Sequence, residues 1–201
     1  MQTLEIAVYE ATDPDGFAAK QGELHRSLAT TFDGYVTSLG LRSATERQVY
    51  ADLVLWASAD AAASAAAALP EREDFAWFAT ELGPIRFFDH LHPAGDAVVA
   101  LDAIASAPVV EVVLVKPTEA EPFDAAHSAL HAELAVAEVI VGELRLARND
   151  NGVAGDVNGW TTPDAMEEMG PLMMAKPELA PVFDPANEML LFMPFATNVV
   201  A

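Results

Sequence analysis

The chain contains two related halves, and this internal repeat constrains its fold more than any other feature of the sequence. An offset of 106 residues aligns the first part of each half, and an offset of 104 aligns the rest. Identical residues then recur in order, at Glu5/Glu111, Thr12/Thr118, Phe17/Phe123, Leu24-His25/Leu130-His131, Leu28/Leu134, Asp52/Asp156, Trp56/Trp160, Asp60-Ala61/Asp164-Ala165 and Phe88/Phe192. A repeat of about 100 residues is the size of a small domain and is too long for the unit of a solenoid. The sequence therefore predicts two related domains in one chain, equivalent to a fused dimer.

Each half follows the same order of predicted strands and helices. In the first half, residues 4–10 alternate and are predicted to form a strand, and residues 17–30 carry apolar side chains at helical spacing. Two strands, an Ala-rich helix, a short helix and a last strand follow. The second half repeats this β-α-β-β-α-α-β order, which is the ferredoxin-like arrangement with one extra short helix. We therefore divide the chain into a first repeat at 1–95, a connector at 96–108 and a second repeat at 109–201.

The first strand of each half is apolar on both faces. In the second half, Val110 and Leu114 share one face, while Val113 shares the other with Glu111. A sheet that is apolar on both sides is buried on both sides. The sequence thus predicts an α+β chain whose tandem ferredoxin-like repeats form an intrachain dimeric α/β barrel. In this arrangement two sheets pack face to face, or curl into one barrel, with the helices outside.

Charge and composition exclude several classes of function. The chain has 31 Asp and Glu residues against 10 Lys and Arg, a formal net charge of −21, which would repel nucleic acids and anionic membranes. Its apolar runs are shorter than the roughly 20 residues that span a bilayer, and its N-terminus does not have the pattern of a signal peptide. We therefore expect a cytoplasmic protein with no nucleic-acid or membrane partner. The absence of cysteine excludes disulfides, thiolate metal sites and a cysteine nucleophile.

The third predicted strand of each half carries a resemblance to a known family. The two sequences are Asp52-Leu53-Val54-Leu55-Trp56 and Asp156-Val157-Asn158-Gly159-Trp160, and each leads into a helix through an Asp-Ala pair. This pattern resembles the antibiotic biosynthesis monooxygenase-like family, within the dimeric α/β-barrel superfamily. The resemblance covers nearly the whole chain as two tandem copies.

The resemblance implies a range of activities. Family members include oxygenases that need no cofactor and convert phenolic polycyclic substrates to quinones, and others that degrade haem. The haem-degrading branch typically uses an Asn on the first strand and a His on the helix of the second half. In this sequence the first strands contain no Asn, and the helices predicted at 59–69 and 165–174 contain no His. We therefore expect no cofactor, and a monooxygenase-like function in which a planar phenolic or other small hydrophobic molecule is oxygenated; the alternative is a binding or stress-response protein without chemistry.

The third strands also supply the candidate site residues. By alternation, one face of the second-half strand carries Gly155 and Gly159. This face is expected to pack against the following helix, whose methionines would fill the space as core rather than contact a ligand. By elimination, the other face of each strand is expected to point between the sheets, into a cavity that would be the binding site; its residues are Asp52, Trp56, Asp156, Asn158 and Trp160.

We assign provisional roles to these five residues. Asp156 and Asn158 are the candidate catalytic residues, and Trp160, Trp56 and Asp52 are the candidate substrate-binding residues. Asp156, buried among aromatic residues, is expected to have a raised pKa and to act as a base, while Asn158 stabilises the anion and Trp160 orients the ring. Since the Asp and the Trp occur in both halves, a structural role is the alternative for them. Asn158 has only Val54 as its counterpart and is therefore the better functional candidate.

The histidines suggest weaker hypotheses. His127 and His131 have i,i+4 spacing, which can bring two imidazoles to one metal ion. No HExxH motif or nearby third ligand accompanies them in the sequence, so we expect no metal site. His90 and His92 are interpreted as an exposed strand end rather than a metal pair. The expected partners are a small hydrophobic molecule and, through exposed sheet edges, a second copy of the chain; the Ala-filled helix marks the first half as a scaffold.

Overall fold

The structure is a computed structural model that describes residues 1–94 and 101–197. It divides into two units, one containing Met1–Pro93 and Phe195–Ala201 and the other containing Ala94–Pro194. Residues 96–100 of the predicted connector and residues 198–201 of the predicted second repeat lie outside the described residues. Among the described residues, no helix is long and apolar enough to cross a membrane.

The first unit has the predicted ferredoxin-like order. Its elements are β1 (Thr3–Ala11), α1 (Phe17–Thr31), β2 (Tyr35–Ser43), β3 (Val49–Trp56), α2 (Ala59–Ala68), α3 (Ala76–Glu81) and β4 (Leu82–Pro93). The strands lie in the order β4-β1-β3-β2, and every pair is antiparallel. This order places β1 and β3 at the centre, so that every residue of β3 is buried.

The second unit repeats this order. Its elements are α4 (Leu101–Ala105), β5 (Val109–Lys116), α5 (Ala120–Ala137), β6 (Ile140–Ala147), β7 (Ala154–Trp160), α6 (Pro163–Met174) and β8 (Glu188–Thr197). The strands lie in the order β8-β5-β7-β6, and every residue of the central strand β7 is buried. The extra short helical segment, predicted around residues 178–183, is a 3-10 helix at Pro177–Leu179, and backbone hydrogen bonds of the same i→i+3 type continue to Phe183. The tandem ferredoxin-like prediction is confirmed.

Equivalent residues cap the helix that follows the central hairpin in each unit. The Ser58 hydroxyl accepts a hydrogen bond from the Ala61 N–H at 3.2 Å, and the Thr162 hydroxyl accepts one from the Ala165 N–H at 3.0 Å. Both caps satisfy N–H groups that have no partner within the helix. They fix where α2 and α6 begin, directly after the two buried strands.

The prediction of which strand face meets the helices is wrong. On β7, Asp156 accepts hydrogen bonds from α5, and Trp160 packs against Leu134 of α5 and Met173 of α6. The polar and aromatic face of the strand therefore looks toward the helices of its own unit. The opposite face carries glycines because other parts of the unit approach it closely. A Cβ added at Gly159 would lie only 3.2 Å from the Cα of Ile104 in α4.

A second close approach involves Gly155, and it generates a test of the β5–β7 pairing. An added Cβ at Gly155 would lie 1.9 Å from the backbone oxygen of Val113. We expect Gly155→Ala to lower the free energy of unfolding by about 1–3 kcal/mol, because the backbone must shift to accept the methyl group. The control is Gly16→Ala, directly before α1, where the backbone is in the ordinary helical region and the nearest atom is the flexible end of the Asp13 side chain at 3.3 Å, so stability should change by less than about 1 kcal/mol. Urea denaturation of both variants measures the difference, and equal stability would contradict the described packing.

Candidate functional site

Each unit buries one aspartate at the centre of its sheet and binds it with side chains from its first long helix. In the first unit, Asp52 accepts hydrogen bonds from Gln21 at 2.8 Å and His25 at 2.7 Å, both from α1. The Tyr9 hydroxyl, on the neighbouring strand β1, donates to the other carboxylate oxygen at 2.5 Å. The result is a carboxylate whose two oxygens are both occupied by protein donors. A buried carboxylate needs such partners, because burying it alone would cost several kcal/mol.

The second unit replaces this arrangement with two histidines. His127 Nε2 donates to Asp156 Oδ1 at 2.6 Å, and His131 Nε2 donates to the same oxygen. The other ring nitrogen of His131 lies 2.9 Å from the carboxylate of Glu143 on β6. The three residues His127, His131 and Asp156, all buried, are called the histidine–aspartate cluster below.

The prediction that Asp156 has a raised pKa is wrong. Burial alone would raise the pKa of Asp156, but hydrogen bonds from His127 and His131 lower it to about 2. Burial would likewise lower the pKa of His131, but the Asp156 and Glu143 carboxylates raise it. Asp156 is therefore a charged anchor for the imidazoles at neutral pH, and it is a poor proton acceptor.

Glu111, which the sequence analysis did not select, has the properties expected of Asp156. It lies on β5 directly opposite Asn158 of β7, and only 8% of its surface is exposed. Burial and the negative charge of Asp156 raise the pKa of Glu111 to about 7, against the opposing effect of the nearby Trp160 and Asn158 side chains. A carboxyl group with this pKa exchanges protons readily near neutral pH.

The repeat shows why Glu111 differs from its counterpart Glu5. In the first unit, the His90 imidazole pairs with the Glu5 carboxylate at 2.9 Å. At the 104-residue offset, the position of His90 is taken by Pro194, which has no side chain able to pair with an acid. Glu111 therefore has no basic side chain at the position from which His90 pairs with Glu5.

Glu111 and Asn158 line a cavity of about 560 Å³ between the sheet and the helices of the second unit, called the second-repeat cavity below. Its walls are mostly apolar, and the lining residues with polar side-chain atoms are Glu111, Asp156, Asn158, Trp160 and the exposed Glu167. Two buried atoms here, Asn158 Oδ1 and Trp160 Nε1, have no hydrogen-bond partner among the described residues. The Trp160 N–H is close enough to Glu111 to lower the pKa of that carboxyl group, but the two groups do not meet hydrogen-bond geometry. Such atoms cost free energy in an empty cavity, and a ligand with matching polar groups would satisfy them.

The methionines of α6 belong both to the core and to the cavity wall. Met173 is buried in a core cluster with Trp160, and Met166 and Met169 pack against that cluster. Met166, Met169, Met173 and Met174 all line the second-repeat cavity. Met173 is buried, whereas Met174 is exposed at the rim. Unbranched thioether side chains adapt to ligands of different shape, and this wall is accordingly deformable.

The first unit has a smaller cavity at the equivalent place, about 290 Å³, lined by Glu5, Asp52 and Trp56 among others. Its size follows from two aromatic residues, Tyr9 and Phe78, which line it. The repeat offsets place Val115 and Val182 at these positions in the second unit, and both valines line the larger cavity. Two aromatic-to-valine differences thus open the second site.

The structure divides the five predicted site residues between the two cavities. Asp156, Asn158 and Trp160 come together in the second unit, while Asp52 and Trp56 lie together in the first. All five lie between a sheet and the helices of the same unit rather than between the sheets, which corrects the prediction. The residues that sequence reasoning missed are Glu111 and the two histidines in their role as partners of Asp156. The sequence does contain features that point to these residues. Glu111 repeats Glu5, and His127 and His131 interrupt the apolar face of α5.

Comparison with known proteins places this geometry in a fold. No family model matches the chain, and no curated protein matches it in sequence. In structure it is similar to an anthrone oxidase-like protein, with a TM-score of 0.64 and 13% identity over 98% of this chain and 91% of that chain. It is also similar to a candidate monooxygenase from Lactobacillus acidophilus NCFM (TM-score 0.64, 10% identity, 98% and 94% covered) and to a heme-binding protein from Thermus thermophilus (TM-score 0.59, 11% identity, 98% and 90% covered). These similarities show that the chain shares the fold of these proteins, in agreement with the predicted tandem ferredoxin-like arrangement.

The raised pKa of Glu111 predicts a measurable pH dependence of stability. A glutamate with a folded-state pKa of about 7 and an ordinary unfolded-state value stabilises the fold below about pH 4.5, and this contribution is lost as the pH rises through about 7. Glu111→Gln stays neutral at every pH, so we expect it to be more stable than wild type at pH 8 by about 3 kcal/mol. Urea denaturation between pH 5 and pH 8 should show the two chains diverging as the pH rises. Glu119→Gln, at an exposed position, is the control and should follow wild type; parallel curves for Glu111→Gln would contradict the assignment.

Proposed function

We propose that the second-repeat cavity binds a planar, largely hydrophobic molecule bearing oxygen groups, and that the protein has a monooxygenase-like activity on it. The observation that carries this proposal is the pair of unpartnered buried atoms, Asn158 Oδ1 and Trp160 Nε1, beside a carboxyl group in an apolar cavity. The fold shared with an anthrone oxidase-like protein and a candidate monooxygenase supports the reaction class.

The cavity suggests the polar groups that the ligand would carry. Asn158 Oδ1 needs a donor, such as a phenolic hydroxyl, and the Trp160 N–H needs an acceptor, such as a carbonyl oxygen. The two residues lie on one strand face, so a molecule with both groups on one edge would satisfy them together. The indole also offers a flat apolar surface for an aromatic ring. This complementarity favours phenolic ketones and related planar compounds.

Oxygenation without a cofactor would proceed from the anion of such a molecule. Glu111 accepts a proton from a CH₂ group made acidic by the aromatic system, and the Trp160 N–H stabilises the charge that moves onto the ligand oxygen. The carbanion then reacts with O₂ and forms a C–O bond, and the peroxide anion takes a proton back from Glu111. Loss of water breaks the O–O bond and leaves C=O, so that O₂ accepts four electrons from the substrate and no other reductant is consumed. Asp156 holds its charge and raises the pKa of Glu111 rather than accepting the proton itself.

Binding without chemistry is the second candidate function. It is favoured by the deformable methionine wall and by the exposed apolar residues at the cavity rim, Met174, Met189 and Phe192, which suit capture of hydrophobic molecules. In either case the smaller cavity makes the first unit the scaffold or a site for a smaller ligand, with Trp56 and Asp52 in the binding role. A homodimer, a cytoplasmic location, and the exclusion of nucleic-acid and membrane partners stay predictions from the sequence.

The mechanism is tested with anthrone and related planar phenols as probes. We expect wild type to consume O₂ with formation of the ketone, and Glu111→Gln to lower kcat by roughly 10²–10⁴-fold, because general-base catalysis is lost. Glu5→Gln, the same change in the first repeat, is the matched control and should retain turnover. An oxygen electrode together with product absorbance measures both.

Two outcomes would overturn parts of this proposal. Turnover that is unchanged in Glu111→Gln, Asn158→Val and Trp160→Phe would refute the assigned roles. Quenching of Trp160 fluorescence by the probes without O₂ consumption would leave binding as the function, and the absence of both would refute a planar phenolic ligand. Asn158→Val is informative because it installs the residue found at Val54 in the first repeat.

A further inference from the structure

The histidine–aspartate cluster includes two buried imidazoles, those of His127 and His131, that have no role in the proposed oxygenation. His127 Nε2, His131 Nε2 and one oxygen of Asp156 lie within 4.8 Å of one another, and all three residues are buried. The two imidazoles come from successive turns of α5, and the carboxylate comes from the facing strand β7. No third ligand lies near the histidine pair in the sequence, but the fold brings Asp156 to His131 from 25 residues further along the chain.

A fourth residue orients the cluster. The Glu143 carboxylate lies 2.9 Å from Nδ1 of His131, and it thereby directs Nε2 of the same ring toward Asp156. Histidines that bind metal ions usually donate their second ring N–H to a carboxylate in this way, which fixes the tautomer and makes the ligating nitrogen more basic. The Phe123 ring packs against His127, with ring centroids 5.1 Å apart, and restrains the second imidazole.

We propose that His127, His131 and Asp156 bind a divalent first-row transition-metal ion, with Glu143 holding His131 in the ligating orientation. Two imidazole nitrogens and one carboxylate oxygen suit ions such as Fe²⁺, Co²⁺ and Zn²⁺, whereas Mg²⁺ and Ca²⁺ prefer oxygen ligands throughout. Three protein ligands leave further coordination positions open. Because Asp156 also lines the second-repeat cavity, the ion would lie beside the proposed ligand site. The net charge of −21 favours accumulation of cations near the chain.

The hydrogen-bonded cluster must open slightly to admit the ion. His127 Nε2 lies 2.6 Å from Asp156 Oδ1, whereas two ligands at about 2.1 Å from one ion are roughly 3.0–3.4 Å apart. The protons shared between the imidazoles and the carboxylate have to leave, so each binding event releases protons to solvent. Metal binding should accordingly weaken as the pH falls.

The first repeat provides a matched comparison within the same chain. Gln21 occupies the position of His127, and its amide is not a common ligand for these ions. Asp52 is already bound by Tyr9, Gln21 and His25. We therefore infer one ion per chain, bound in the second unit.

The test is a titration of the chelator-stripped full-length protein with Co²⁺, followed by visible absorption and by calorimetry with Zn²⁺. We expect one equivalent to bind with proton release and a rise in Tm. His127→Gln, which reproduces the first-repeat arrangement, should weaken binding by at least about 100-fold, and Glu143→Gln by roughly 10–100-fold. His25→Gln is the control and should bind as wild type does.

Two results would overturn the proposal without depending on a variant that folds poorly. The first is the absence of stoichiometric Co²⁺ and Zn²⁺ binding by wild type, and the second is equal affinity in folded His127→Gln. Circular dichroism of the metal-free variants establishes that they are folded. Turnover after chelation tests the proposed oxygenation separately, since that mechanism uses no metal.

Discussion

The buried aspartate on the central strand of each repeat is the constraint on which the other features of the structure depend. Asp52 and Asp156 lie among apolar side chains, where an unpaired carboxylate would be strongly destabilising, so the helix packed over each strand has to present donors at matching positions. That requirement restricts how α1 and α5 are rotated and placed on their sheets, because residues three or four apart on one helical face are the ones that can reach the same carboxylate. The cavities lie beside this anchor, between the strand and the helix that it positions.

The two repeats differ in the side chains that surround this buried aspartate. The first surrounds its aspartate with Tyr9, Gln21 and His25, pairs Glu5 with His90, and fills much of the adjoining space with aromatic rings. In the second repeat, His127 stands in place of Gln21, and Pro194 stands in place of the His90 that pairs with Glu5. Valines also replace two aromatic residues, Tyr9 and Phe78. The consequence is a larger cavity with a protonatable acid and unpartnered polar atoms. The first repeat thus has the smaller cavity, with its buried acids paired, and the second has the larger cavity.

Much of the fold could be predicted from the sequence, because alternation and helical spacing supply the order of elements and the repeat indicates that this order occurs twice. The orientation of β3 and β7 could not be predicted from the sequence. Both faces of these strands are buried, so alternation alone does not show which face meets the helices. Residue size also led to the wrong face being assigned to the helices. Gly159 and Gly155 are glycines because α4 and the backbone of Val113, respectively, come too close for a side chain. The polar residues on the buried faces of α1 and α5 do indicate the correct face. Each pair needs a buried acid as its partner, and the aspartate repeated on β3 and β7 is the acid available.

The covalent joining of the two repeats has an evolutionary consequence. In a dimer of identical chains, every substitution appears in both subunits, so a change that opens one cavity opens the other and its cost in stability is incurred twice. Here a residue such as Val115 can differ from Tyr9, because each position is encoded separately. A chain that carries both repeats is not held to that symmetry. One copy can keep a well-packed framework while the other has a larger cavity, and the cost in stability of that cavity is incurred once.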